Sequence, residues 1–256
     1  MVSYVVVSKN KTVMRSKELL ELFLAHASLT LPEMVRLSGI PKSSVHRMLG
    51  SLEEMGFVER SADGSYRLGL LFLQYGQLVA ERLDVRQVAR SYMMRLRDEV
   101  DEAVNLILPD GDCAIYIEKM ETDKPVRVYT RIGRRAPLYA GACPRILLAH
   151  WSEEQLEAYL QRVELVPIAR GTLTDKGELR QVLAEARANG YAISHSELEE
   201  YSSALAAPIF DHAGCAVAGI SLAGPEARFQ QDDLGELAEK LKRTALSISR
   251  ELGYQG

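Results

Sequence analysis

The chain has 256 residues, 47% of them hydrophobic and 26% charged, with a net charge of −4, which excludes a disordered chain and allows one large or two modest packed domains. Three cysteines, Cys113, Cys143 and Cys215, form an odd set without C-x-x-C spacing, which argues against a disulfide framework. No apolar run approaches the ~20 residues of a membrane span, and the opening MVSYVVVSKNK lacks the layout of a signal peptide, so a cytoplasmic protein with no membrane partner is expected.

In chain order, residues 1–13 read as poorly ordered or strand-like. A helix is expected over Arg15–His26, with Leu19, Leu20 and Phe23 on its core face. The stretch from Leu31 to Leu68 is the most informative. Thr30, Pro32 and Glu33 form a capping box with proline in the first turn, so a helix should begin at Leu31. Gly39 can close it in the left-handed conformation, and Pro41 fits the first turn of the next helix. That second helix should run to about Met55, with Gly56 as its stop.

On a wheel of about 100° per residue, Val45, Met48, Leu49 and Leu52 fall on one side and Ser43, His46, Arg47 and Gly50 on the other. Phe57–Glu59 and Tyr66–Leu68 then read as a hairpin turning at Asp63-Gly64. This order, helix-turn-helix plus wing, suits the major groove of DNA. Ser43, His46 and Arg47 are the candidate base-edge or phosphate contacts, Lys42, Arg60 and Arg67 the candidate phosphate contacts, and Ser44 a further candidate DNA-binding residue. Helix-turn-helix units also serve as dimerisation scaffolds, but here turn, basic face and wing agree. The charge is unevenly spread: +2 over residues 1–67 and −6 over the rest, as in a mildly basic head on an acidic second domain.

From Gly69 to about Arg97 the pattern is helical, with a break near Leu83-Asp84. Beyond Ala103 the period changes. Val104–Leu108 and Ala114–Lys119 flank a hairpin turn at 109–112, and Val126–Ile132 reads as another strand. Helices are expected at Pro144–Ala149, Glu153–Gln161 and Lys176–Ala188, the last capped by Asp175 and closed by Gly190. Strands return at Tyr191–Ser194, Leu205–Phe210 and Ala216–Ala223, and a final amphipathic helix covers Asp232–Leu252. Hairpin-linked strands with helices between them predict an α+β domain built on a mostly antiparallel sheet. The domains expected are a winged helix-turn-helix at 1–68, a linker helix at 69–84 and an effector-binding domain at 85–256.

A small-residue loop, Tyr139-Ala140-Gly141-Ala142-Cys143, runs into a helix that Pro144 starts. Exposed N–H groups at such a start suit a carboxylate, and Gly141 and Ala142 would let a ligand approach. Cys143 beside the helix start admits a lowered pKa, so an enzyme or a metal-dependent sensor using Cys143, with His195 as a possible zinc partner, is the alternative reading. No acid–base partner and no ligand pair has the required spacing. No catalytic residue, metal or cofactor is therefore expected.

The chain resembles the IclR family of bacterial transcription regulators over nearly its whole length. The resemblance rests on Arg15, Gly39-Ile40-Pro41-Lys42-Ser43-Ser44-Val45-His46-Arg47, Tyr66-Arg67-Leu68-Gly69, Pro137-Leu138, Gly190-Tyr191-Ala192, Ala206-Ala207-Pro208, Ser221 and Gly224-Pro225. It implies a winged helix-turn-helix head, a GAF-like effector domain, homodimers or homotetramers on partly palindromic double-stranded operators, and repression more often than activation. The implied effector is a small organic or aromatic acid, and the implied contacts fall at Gly141, Ala142, Cys143, Ser194, Ala204 and Ser221. The chain departs from the family in having Pro144-Arg145 for Gly-Lys or Gly-Arg, no acid near Ser194, Ala204 for Cys or Ser, and Tyr201 for Gly. These changes predict a more apolar or aromatic carboxylate than a small keto acid.

Overall fold

Capping sets the first elements. In the computed structural model, which describes residues 10–81, 84–229 and 231–256, Asn10 Oδ1 accepts from the Thr12 and Val13 N–H groups at 3.0 and 3.3 Å. Helix α1 therefore spans Lys11–Glu21 and tightens into a 3-10 turn at Leu22–Leu24. It starts four residues before the expected Arg15, because the Asn10 cap lies upstream of the apolar pattern. The expected irregular start is helical at 11–13, and residues 1–9 lie outside the described residues, as does the expected break at Leu83.

Thr30 and Glu33 make the expected capping box: the Glu33 carboxylate accepts from the Thr30 N–H at 2.8 Å and from its hydroxyl at 2.7 Å. Helix α2 runs Leu31–Ser38 and ends at Gly39, φ 67°. Helix α3 runs Lys42–Glu54, with Pro41 as the residue before it rather than inside its first turn. Strands β1 (Val58–Arg60) and β2 (Tyr66–Leu68) pair antiparallel as a wing. Leu19, Met34, Val45, Leu49 and Val58 form the centre of one buried core under these elements. Helix α4 (Leu71–Glu81) follows Gly69, where an added Cβ would lie 2.1 Å from the Gly56 carbonyl oxygen. Only glycine allows that approach.

The chain divides into two compact units, Met1–Arg82 and Leu83–Gly256. The second unit opens with α5 (Asp84–Val100) and contains one antiparallel sheet of six strands, in the order β5-β4-β3-β8-β7-β6. These are β3 (Ala103–Asp110), β4 (Cys113–Met120), β5 (Arg135–Pro137), β6 (Ala192–His195), β7 (Ser202–Phe210) and β8 (Ala216–Pro225). Side chains alternate between the two sheet faces. Val104, Leu106, Ile220 and Leu222 pack under α5 and α9 (Gln231–Glu251), while Ile107, Tyr116 and Ala206 pack under α6 (Ala142–Leu148) and α8 (Lys176–Asn189). Helix α7 (Glu153–Arg162) completes the α6 side. The fold is thus α+β, as the element pattern predicted.

The expected strand at Val126–Ile132 is not formed. The chain reaches the free edge of β4 later, where the Tyr116 N–H donates to the Arg134 carbonyl at 2.9 Å and β5 pairs with residues 113–115. A strand needs a partner edge as well as an alternating pattern, and residues 133–137 take that edge.

Candidate functional site

Two sites were expected, one in each unit. In the first unit, Lys42, Ser43, His46 and Arg47 stand exposed on α3, and Ser44 is half-buried. The opposite face, Val45, Met48, Leu49 and Leu52, is buried. Burial of the apolar stripe holds the polar stripe outward at the N-terminal half of α3, the part that reaches base edges in helix-turn-helix proteins. Gly50 has open space where a side chain would be, so nothing on that face blocks close approach.

The wing arginines behave differently. Arg67 faces Glu59 across the hairpin and donates to its Oε2 from Nε at 3.1 Å and Nη2 at 2.9 Å. Arg60 is exposed, with its guanidinium 5.7 Å from the centre of the Tyr66 ring. Arg67 is therefore paired with a carboxylate inside the wing, whereas Arg60 packs beside an aromatic ring.

In the second unit, the chain brings Gly141, Ala142, Cys143, Ser194, Ala204 and Ser221 around one cavity of about 40 Å³. The register explains the convergence. Ser194 pairs with Ala204 and Ala204 with Ala223, while Ala206 pairs with Ser221 and Ser221 with Asn105, so β6, β7, β8 and β3 present two adjacent rows of small and polar side chains on the α6 face. The start of α6 forms the roof. Gly141 has φ 84°, and a Cβ there would lie 2.6 Å from Leu198 Cδ1. Val128, Thr130, Arg134 and residues 197–199 supply the walls.

The roof is not an open anion site. Helix α6 starts at Ala142 rather than Pro144, and its first amides are taken. The Gly141 N–H donates to Glu197 Oε2 at 2.9 Å and the Ala142 N–H to Ser194 Oγ at 2.9 Å. Glu197 is in turn held by Arg145, whose Nη1 donates to both carboxylate oxygens at 2.7 and 2.8 Å, while Nη2 donates to the Ile193 carbonyl. Both side chains are buried. The chain's own carboxylate thus fills the position that the loop composition offered to a ligand. At the mouth, Arg134 is paired with Glu199.

Neither alternative chemistry at Cys143 is supported. Burial pushes its thiol up to about 12, outweighing the opposing hydrogen bond from the Ser221 hydroxyl. It is therefore a protonated pocket-lining group rather than the low-pKa thiolate expected at a helix start. His195 pairs in register with Ser203, its Nδ1 2.7 Å from Ser203 Oγ. It alternates with the cavity-lining Ser194, so the sheet lies between it and Cys143. Among the described residues no group of three His, Cys, Asp or Glu side chains could hold a metal, and no helix is long and apolar enough to cross a membrane.

Tyr201 also stands apart from the cavity. It is 69% exposed at φ 58°, with the Arg170 guanidinium 4.7 Å from its ring centre. The left-handed backbone explains why glycine is the easier residue at this position, and Tyr201 tells nothing about the ligand. The sequence reading missed Asn105, Tyr116 and Thr130, polar or hydroxylated side chains on the cavity surface, and Glu197 in its roof. A polar residue inside the apolar run Ala103-Val104-Asn105-Leu106-Ile107 was the one available signal.

Comparison with known proteins agrees with this architecture. The IclR helix-turn-helix domain model matches residues 12–62, and the model of the bacterial transcriptional regulator IclR C-terminal domain matches residues 77–250. The HTH-type transcriptional regulator KipR of Bacillus subtilis is 56% identical over 247 residues, which cover 96% of this chain and 99% of KipR. The crystal structure of Thermotoga maritima IclR superposes with a TM-score of 0.77 at 33% identity, covering 95% of this chain and 99% of that one. An IclR homolog from Microbacterium hydrocarbonoxydans, crystallised with 4-hydroxybenzoate, superposes with a TM-score of 0.81 at 28% identity, covering 94% and 99%. With both domain models matched in order along one chain, this protein belongs to the IclR family of bacterial transcriptional regulators.

Proposed function

We propose that this DNA-binding regulator acts in the cytoplasm as a repressor, reading a partly palindromic operator as a homodimer or homotetramer and answering to a small organic effector held in the cavity under α6. In this reading residues 1–68 are the DNA-binding head, 69–84 a linker helix and 85–256 the effector domain. The observation that carries it is the exposed, basic N-terminal half of α3, with Lys42, Ser43, His46 and Arg47 on one face and the core on the other. Ser44, Arg60 and Arg67 complete the proposed contact set. Paired recognition helices would enter successive major grooves about 34 Å apart.

The test is selection of bound fragments from sheared genomic DNA by the purified protein. A compact, partly palindromic site beside genes whose transcripts rise when the regulator is deleted is the expected result. Uniform recovery of fragments would overturn sequence reading, and falling transcripts would overturn repression.

A second reading specifies the effector as an organic or aromatic acid, favoured by the 4-hydroxybenzoate bound to the Microbacterium homolog. In this chain a carboxylate would have to draw Arg134 away from Glu199, because Arg134 is the one cation among the described lining residues. Calorimetric titration with 4-hydroxybenzoate at low and high salt tests this directly: heat that fades with salt supports an ion pair at Arg134, and no heat counts against the acid.

A further inference from the structure

The cavity floor holds polar groups that the fold does not use. Asn105 is 2% exposed. Its neighbours Val104 and Leu106 pack on the opposite face, so its amide stands on the α6 face with the cavity lining. No hydrogen bond to that amide is formed among the described residues. Tyr116 is 7% exposed and lies diagonal to Asn105 on β4. The register of β3 against β4 shifts between Leu106 and Ile107, and such a bulge re-aims the side chains beside it. The Tyr116 hydroxyl also lacks a hydrogen-bond partner among the described residues, and burial pushes its ionisation upward, so it remains a neutral phenol. Ser221, in register with Asn105, adds a hydroxyl beside Cys143.

Neither the Asn105 amide nor the Tyr116 hydroxyl is among the fully enclosed polar atoms left without a partner; both residues line the cavity, where a polar atom without a protein partner can take one from a ligand. The charged groups nearby are already spent. Arg145 is bound to Glu197 and Arg134 to Glu199, while the amides of Gly141 and Ala142 are occupied. What remains open toward the cavity is a carboxamide, which both donates and accepts, and the neutral Tyr116 hydroxyl, while the Ser221 hydroxyl is shared with Cys143. We infer that the effector is recognised at the cavity floor through an uncharged group that both donates and accepts, an amide or a hydroxyl, with Asn105 as the specificity-determining residue and Tyr116 beside it. This rests on the reading of the cavity as the effector site and adds the chemistry of the ligand's buried end.

The test compares the wild-type chain with Asn105→Leu, Tyr116→Phe and Ala204→Phe. The probes are benzamide, 4-hydroxybenzamide and 4-hydroxybenzoate, with benzoate and toluene as analogues lacking the neutral donor–acceptor group. Without any probe, Asn105→Leu should melt at or above the wild-type temperature, because no internal hydrogen bond is lost. A fall of about 3 °C or more would make Asn105 a structural residue and overturn the inference.

With probes, calorimetry should show the amide or hydroxyl compounds bound about ten-fold or more tightly than their analogues. That preference should disappear in Asn105→Leu and weaken in Tyr116→Phe, which removes one oxygen without changing shape. A preference that survives both variants, or no binding of any amide or hydroxyl probe, overturns the assignment. Ala204→Phe separates the two levels. If it abolishes binding while Asn105→Leu leaves preference intact, the cavity reading stands and the inference falls. If a bound probe ignores Ala204→Phe, the cavity reading falls.

Discussion

Arg145 and Glu197 show how one buried pair can decide a site. Each is too polar to lie in the core alone, and together they leave the α6 roof closed by hydrogen bonds. Removing one partner strands the other charge. Glu197→Ala should cost about 3–5 kcal/mol, read from the midpoint of denaturant unfolding, and a change under 1 kcal/mol would show that water compensates Arg145 freely. On α3, Arg47→Ala should weaken operator binding by about 1–3 kcal/mol and lower the ratio of operator to random DNA, as expected of a base contact. Arg67→Ala should cost less, because Arg67 already spends part of its charge on Glu59. Equal losses in operator affinity would refute that ordering.

At the scale of elements, caps and close approaches carry predictions of their own. The Glu33 carboxyl is held below its ordinary 4.5 by hydrogen bonds from the Thr30 N–H and hydroxyl. A carboxyl depressed in the folded state contributes stability above its unfolded value and loses it as the pH falls through the folded one. Glu33→Ala should therefore lower the melting temperature at pH 7, and its gap to the wild type should close below about pH 4. A gap constant with pH would mean that Glu33 caps no helix. Gly69→Ala pushes a methyl into the Gly56 carbonyl and should cost at least the ~1–3 kcal/mol of an overpacked core, measured by thermal unfolding of the head.

These elements were largely legible because their causes are local. Asp175 and Gly190 bound α8 as read, and Thr30 and Gly39 bound α2. The failures were local patterns without a partner. Residues 126–132 alternate like a strand, but the edge they needed was taken by residues 133–137. Helix α1 began upstream because a polar cap, Asn10, outweighed the apolar pattern.

For the whole molecule, the three buried cores fall cleanly within the two units: one lies inside residues 19–66, and two lie beyond residue 84. A chain of residues 83–256 should therefore fold alone and melt in one cooperative transition by circular dichroism; an unfolded fragment would show that the head supplies part of its core. Any effector can alter DNA binding only through unequal affinity for two arrangements of the protein. The cavity and α3 lie in separate units.

The sequence by itself determined the winged head, the antiparallel α+β second unit and the exposed face of α3. Each follows from spacing, caps and turn residues within a few positions of one another. The family resemblance added six positions that the fold gathers around one cavity. Only the tertiary structure decided what that cavity offers. Glu197 and Asn105 lie 92 residues apart in the chain, and nothing local says that one closes the roof while the other leaves an amide open on the floor. Hydrogen-bond satisfaction is settled by which groups meet across the sheet, and that depends on register and packing rather than on the residues beside them in sequence.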